Sequence, residues 1–123
     1  MAPARDFPAT FAVLKALLVP YAARLHPSQD TATFYMLDGE YVAAFKRTMF
    51  FGGVQIRRAY VSFHLMPVYT NPELLSGVSD ALKKRMQGKS CFNFVRPERE
   101  LLLELSALVE RGFNLYERLG WVR

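Results

Sequence analysis

Cysteine is nearly missing: Cys91 is the only one in 123 residues. No disulfide can close within the chain, and a reducing cytoplasm is the compartment such a composition fits. Histidine is almost as scarce, with His26 and His64 alone. No H-E-x-x-H pattern or Cys/His spacing exists, which excludes the usual zinc sites. Long apolar runs are missing too. The longest uncharged stretch, Ala59 to Pro72, is too short to span a bilayer and contains two prolines. Asp6 and Lys15 bracket an N-terminal apolar run too short for a signal peptide. The chain therefore reads as soluble and cytoplasmic, with no membrane partner. No pair of carboxylates is placed for glycoside chemistry.

Acidic residues are sparse, 11 against 16 Lys plus Arg, for a net charge of +5. That surplus favours anionic partners weakly. It falls short of the basic density of a dedicated nucleic-acid binder. Hydrophobic residues reach 51% and aromatics 14%, so the chain can bury one core built from large side chains with a sheet in it.

The first amphipathic pattern is helical. Phe7, Phe11, Leu14, Leu18, Tyr21 and Leu25 recur at steps of three and four. Asp6 suits the N-cap, Pro8 fits the first turn, and Pro20 should kink the helix or end its first part. "HPSQD" reads as the break that follows, with His26 solvated in a loop. "TATFYML" and "EYVAAF" flank a turn signal at Asp38-Gly39. "MFFGGVQIRRAYVSFHLMPVY" carries the strongest strand alternation. Phe50, Val54 and Ile56 share one face, and Val61, Phe63 and Leu65 share one face after a turn near Arg57-Arg58-Ala59. Gly52-Gly53 signals a bulge or a close backbone approach.

"NPELLSG" reads as a short turn capped by Asn71, and "SDALKKRMQG" as a helix capped by Ser79 and closed by a C′ glycine at Gly88. "KSCFNFV" is a short strand. The last segment is a long helix with Leu101, Leu105, Leu108, Leu115 and Leu119 at helical spacing. Its acids alternate with Arg99, Arg111 and Arg118, which reads as a solvated, paired face. Together these predict an α+β domain over residues 1–123. The architecture expected is a two-layer α/β sandwich: an antiparallel sheet with the N- and C-terminal helices packed on one face.

"RMQGKSCFNF" ends like a phosphate loop. The loop's first glycine would fall at Lys83, and here a helix precedes and a strand follows, the reverse of the required order. A helix C-terminus offers carbonyls rather than N–H groups, so Gly88-Lys89-Ser90 reads as a helix stop.

If Val61, Phe63 and Leu65 face the helices, then Tyr60, Ser62, His64 and Met66 face the other way. Gln55 and Arg57 join them from the partner strand, and Cys91 and Asn93 from "SCFNF". With Lys89 nearby, the ligand-binding set expected on the open face is Arg57, Tyr60, Ser62, His64, Lys89 and Asn93. No catalytic set is expected, because an i,i+2 pair such as Ser62 and His64 on one strand is not a nucleophile–base arrangement and no acid is placed to orient the imidazole.

At "YVSFHLMPVY", "NPELL" and "LKKRMQGKSCFNF" the chain resembles the YdhG-like family, a domain of unknown function. The resemblance runs from about Phe50 to the C-terminal helix. It implies a frataxin-like α/β sandwich and, for some members, an intracellular iron-chaperone role. Iron carried that way needs clustered carboxylates or imidazoles. The first helix here has no acid beyond Asp6, and Asp30, Asp38 and Glu40 are scattered. The residues themselves favour a non-enzymatic binding module without cofactor, its open sheet face taking a small polar or anionic ligand or a protein partner. A second copy of the chain is the other occupant that face would accept.

Overall fold

The computed structural model describes residues 6–123. Helix α1 (Phe7–Leu18) starts where Asp6 accepts a hydrogen bond from the Ala9 N–H at 3.1 Å, with Pro8 in the first turn. Pro20 removes an N–H, so the chain continues only as a 3₁₀ turn, Val19–Arg24. Five strands follow: β1 (His26–Asp30), β2 (Phe34–Val42), β3 (Arg47–Ile56), β4 (Val61–Leu65) and β5 (Cys91–Phe94). They pair in chain order, every neighbour antiparallel. Between β4 and β5 lie α2 (Met66–Thr70), a 3₁₀ turn Pro72–Leu75 and α3 (Asp80–Lys83). Helix α4 (Arg99–Leu119) closes the fold, stopped by Gly120 in the left-handed conformation. The α+β, antiparallel-sheet architecture expected from the sequence is the one observed.

α1 and α4 bury one face of the sheet. Phe11, Leu14 and Leu18 from α1 and Leu101, Leu105, Leu108, Val109, Phe113 and Tyr116 from α4 share a core with Phe51, Val54, Val61, Phe63, Leu65, Phe92 and Phe94. The Tyr116 hydroxyl, buried in this layer, donates to the Phe50 carbonyl at 2.7 Å. Burial pushes that phenol far above its ordinary pKa, so it stays a donor throughout the accessible pH range.

Several local expectations are corrected. "HPSQD" is not a break but edge strand β1. Pro27 is tolerated there because an edge strand pairs on one side only. His26 is therefore not loose in solvent; its Nε2 lies 2.7 Å from Glu40 Oε2 on β2. Asp38-Gly39 does not turn the chain. It sits inside β2 at a register shift, where Gly39 lets the C-terminal Trp121 carbonyl and the Met49 carbonyl approach. Phe51, not Phe50, enters the core. The β2–β3 register skips between Leu37↔Gly52 and Asp38↔Phe50, so the alternation changes phase beside Gly52. Met49 and Phe51 before it, and Val54 after it, all face the helices.

α3 is also shorter than predicted. Ser79 caps it by accepting from the Leu82 N–H at 3.2 Å, but it ends at Lys83. Gly88 takes a positive φ of 82° in the turn toward β5 rather than at a helix C′ position. The Asn71 side chain caps nothing; it binds Thr70 and Glu73. On α4, Leu115 is only half-buried and Leu119 is exposed. Phe113 and Tyr116 take the places their spacing would give. The charged groups around that helix pair with other elements rather than along its own face: Glu98 with Arg85, Glu104 with Ser79, Glu117 with Arg24.

Two substitutions check this packing. Tyr116→Phe leaves the part-buried Phe50 carbonyl without its side-chain donor and is expected to lower unfolding free energy by about 1 kcal/mol in urea melts. Gly39→Ala would put a methyl 2.6 Å from the Trp121 carbonyl oxygen and 2.9 Å from that of Met49, both backbone atoms. It is expected to cost at least as much, and a neutral effect would contradict the C-terminal closure described.

Candidate functional site

Strand pairing sorts the open face into rows. Gln55, Ser62 and Asn93 stand side by side on β3, β4 and β5, and Gly53, His64 and Cys91 form the next row. Gly53 has no side chain, and Met36 from β2 packs over it, while the Cys91 thiol lies on the other side of the His64 imidazole. This follows from the dry face: with Val61, Phe63 and Leu65 buried, the pleat sends Ser62 and His64 the other way.

The side chains meet closely. Ser62 Oγ lies 3.1 Å from His64 Nε2 and 2.9 Å from Cys91 Sγ, and Cys91 Sγ lies 3.7 Å from the same imidazole nitrogen. The Cys91 thiol also donates to Asn93 Oδ1 at 3.3 Å. The Asn93 amide donates to Gln87 Oε1 at 2.7 Å. Ser62 is 4% exposed, a buried hydroxyl whose hydrogen-bonding capacity is used within this cluster. With Arg57 and Tyr60 at the rim, these residues line an open pocket of about 260 Å³.

Electrostatically the pocket has one charge. Burial, and secondarily the Arg57 guanidinium, push the His64 pKa below the ordinary histidine value. The ring is neutral near pH 7, so Nε2 can accept a hydrogen bond from the Ser62 hydroxyl. Arg57 is exposed, its Nη1 3.3 Å from Gln55 Oε1, with no carboxylate partner among the described residues. No carboxylate lines the pocket.

Five of the six expected residues, Arg57, Tyr60, Ser62, His64 and Asn93, come together here. Lys89 does not. It lies with Val68, Tyr69 and Met86 in a separate groove, because the Gly88-Lys89-Ser90 turn carries it away from the β5 face. The residue missed is Gln87. The segment before Gly88 runs along the outer edge of β5, with hydrogen bonds from Gln87 N–H to the Cys91 carbonyl and from Asn93 N–H to the Arg85 carbonyl. Nothing in the spacing of "RMQGKS" signals that pairing.

The expectation about Ser62 and His64 also needs correcting. The rotamers bring Oγ and Nε2 to hydrogen-bond distance although the residues are i and i+2 on one strand. Among the described residues, the hydrogen-bond partners of the ring are Ser62 and Cys91, and none is a carboxylate. For the iron role implied by resemblance, no group of three or more His, Cys, Asp or Glu side chains stands together among the described residues.

Comparison of the chain with protein-family models, with curated proteins and with solved structures finds no match in any of the three. The YdhG-like resemblance rests on the segments quoted above.

The His64 environment makes a signed prediction. A histidine whose folded pKa lies below its unfolded value binds fewer protons in the folded state between the two. Stability therefore rises with pH through that window and falls as pH drops below about 6.5. Wild type is expected to lose more stability than His64→Gln between pH 7.5 and 5. Arg57→Gln is expected to raise the His64 midpoint followed by NMR. An unmoved midpoint would mean the guanidinium does not act on the ring.

Proposed function

We propose that the protein is a non-enzymatic binding module that holds a small anionic ligand on the open face of its sheet. The observation that carries this reading is the pocket built from Ser62, His64, Cys91 and Asn93 under the unpaired guanidinium of Arg57. Its polar side chains bind one another and are thereby pre-oriented. The guanidinium supplies a fork suited to carboxylate or phosphate oxygens. Tyr60 and Gln87 add hydrogen-bonding groups at the rim. At about 260 Å³ the pocket suits a molecule smaller than a typical drug-sized ligand.

A second reading is thiol chemistry at Cys91, favoured by one observation: Ser62 Oγ bridges the thiol and the imidazole. It lacks a group that orients His64, and the binding reading needs none.

The test is an NMR titration with inorganic phosphate, sulfate and small carboxylates. Saturable shifts are expected at Ser62, His64, Cys91 and Asn93 for at least one of them. Arg57→Ala is expected to weaken that binding about tenfold or more, the order of a lost charge-assisted hydrogen bond. Binding unchanged by both Arg57→Ala and His64→Ala would end the proposal. Labelling by a thiol reagent separates the second reading. A Cys91 that reacts faster than a free thiol near neutral pH, and loses that excess in His64→Gln, would favour chemistry over simple binding.

A further inference from the structure

A second concavity, with a mostly apolar lining, lies away from the open-face pocket. α2, the 3₁₀ turn and the segment before β5 enclose a groove of about 490 Å³ lined by Val68, Tyr69, Pro72, Leu75, Met86, Gly88 and Lys89. Val68 is buried, Leu75 and Met86 are half-buried, and Tyr69 stands exposed at the edge. The volume falls in the range of small-molecule sites, and an apolar lining with few polar groups is their usual character. Met86 adds an unbranched, adaptable side chain.

One lining side chain carries charge. Lys89 is exposed and has no ion-pair partner among the described residues. No acid lines the groove. Glu73, on the adjoining turn, is not part of the lining, and its carboxylate accepts from the Asn71 amide at 3.0 Å. An apolar trough with a single cation complements an amphiphile with a single negative end.

We propose that this groove is a second ligand site, for a small amphiphilic carboxylate. The alkyl or aryl part lies on Val68, Pro72, Leu75 and Met86, and the carboxylate meets the Lys89 ammonium. The site is separate from the open-face pocket and does not depend on what that pocket holds. It also gives Lys89 a ligand of the charge expected for it, at a different place.

The experiment is a two-dimensional amide NMR titration with octanoate and, in parallel, with neutral octan-1-ol. Octanoate is expected to shift the Val68, Tyr69, Leu75, Met86, Gly88 and Lys89 amides saturably. It is expected to bind about three- to fivefold tighter than the alcohol, the factor an exposed ion pair supplies. Lys89→Gln, an exposed substitution that leaves the core intact, should erase that difference and keep the alcohol's affinity. The proposal is overturned by equal affinity of the two probes in the wild type, or by a difference that survives Lys89→Gln. Shifts confined to Ser62, His64 and Cys91 overturn it too, as does no saturable shift. Groove shifts that grow with protein concentration alone would assign the surface to a second copy of the chain instead.

Discussion

Burial of one sheet face beneath α1 and α4 is the constraint on which the rest of the structure depends. A strand has two faces, and every side chain committed to the dry one sends its neighbours to the wet one. Phe63 and Phe92, paired directly across β4 and β5, are fully buried, as are Val61 and Phe94. Their burial is what aligns Ser62, His64, Cys91 and Asn93 on the opposite surface. The polar cluster is a by-product of apolar packing in its position and a distinct arrangement only in its chemistry. A one-residue slip of β4 would exchange Ser62 for Phe63 and dissolve both layers.

The same constraint explains why the sheet tolerates irregularity only at particular points. The phase change beside Gly52 admits Met49, Phe51 and Val54 to one core although they do not alternate regularly. A Cβ on Gly52 would lie 3.1 Å from both the His64 carbonyl oxygen and a Leu18 methyl, so α1 and β3 approach closely at this glycine. Phe51 then reaches the aromatic side chains of α4, 5.4 Å from the Tyr116 ring and 6.1 Å from that of Phe113. The Tyr116 hydroxyl ties the same helix to the backbone of the same strand, so α4 and β3 are held by packing and by a directed bond together.

The polar links between layers follow a related logic. Arg85 grips Glu98 through two nitrogens, at 2.8 and 2.5 Å, and Ser79 donates from both its hydroxyl and its N–H to Glu104. These contacts dock the connection between β4 and β5 onto α4. Arg57 and Lys89, like most lysines and arginines among the described residues, have no carboxylate partner. Arg57 and Lys89 line different concavities, one polar and one apolar. Neither concavity recruits an acid to its lining.

Residue order and spacing by themselves determined the elements whose signal is local. Asp6 and Pro8 start α1, Ser79 caps α3, Arg57 to Tyr60 turn the β3–β4 hairpin, and period two divides Val61, Phe63 and Leu65 from Ser62 and His64. Each depends on a cap, a turn or a periodicity within a few residues. That was enough to place five of the six expected open-face residues. Tertiary structure alone decided the rest. β1 is a strand because β2 offers it hydrogen bonds, although "HPSQD" has little strand propensity. Gln87 joins the cluster because its segment pairs with the edge of β5, and Lys89 leaves it because the turn at Gly88 points elsewhere. The Ser62–His64 contact depends on side-chain rotamers that strand spacing does not encode. The places of β1 and Gln87 come from pairings between segments whose separation along the chain carries no periodic trace, so only the assembled sheet could reveal them.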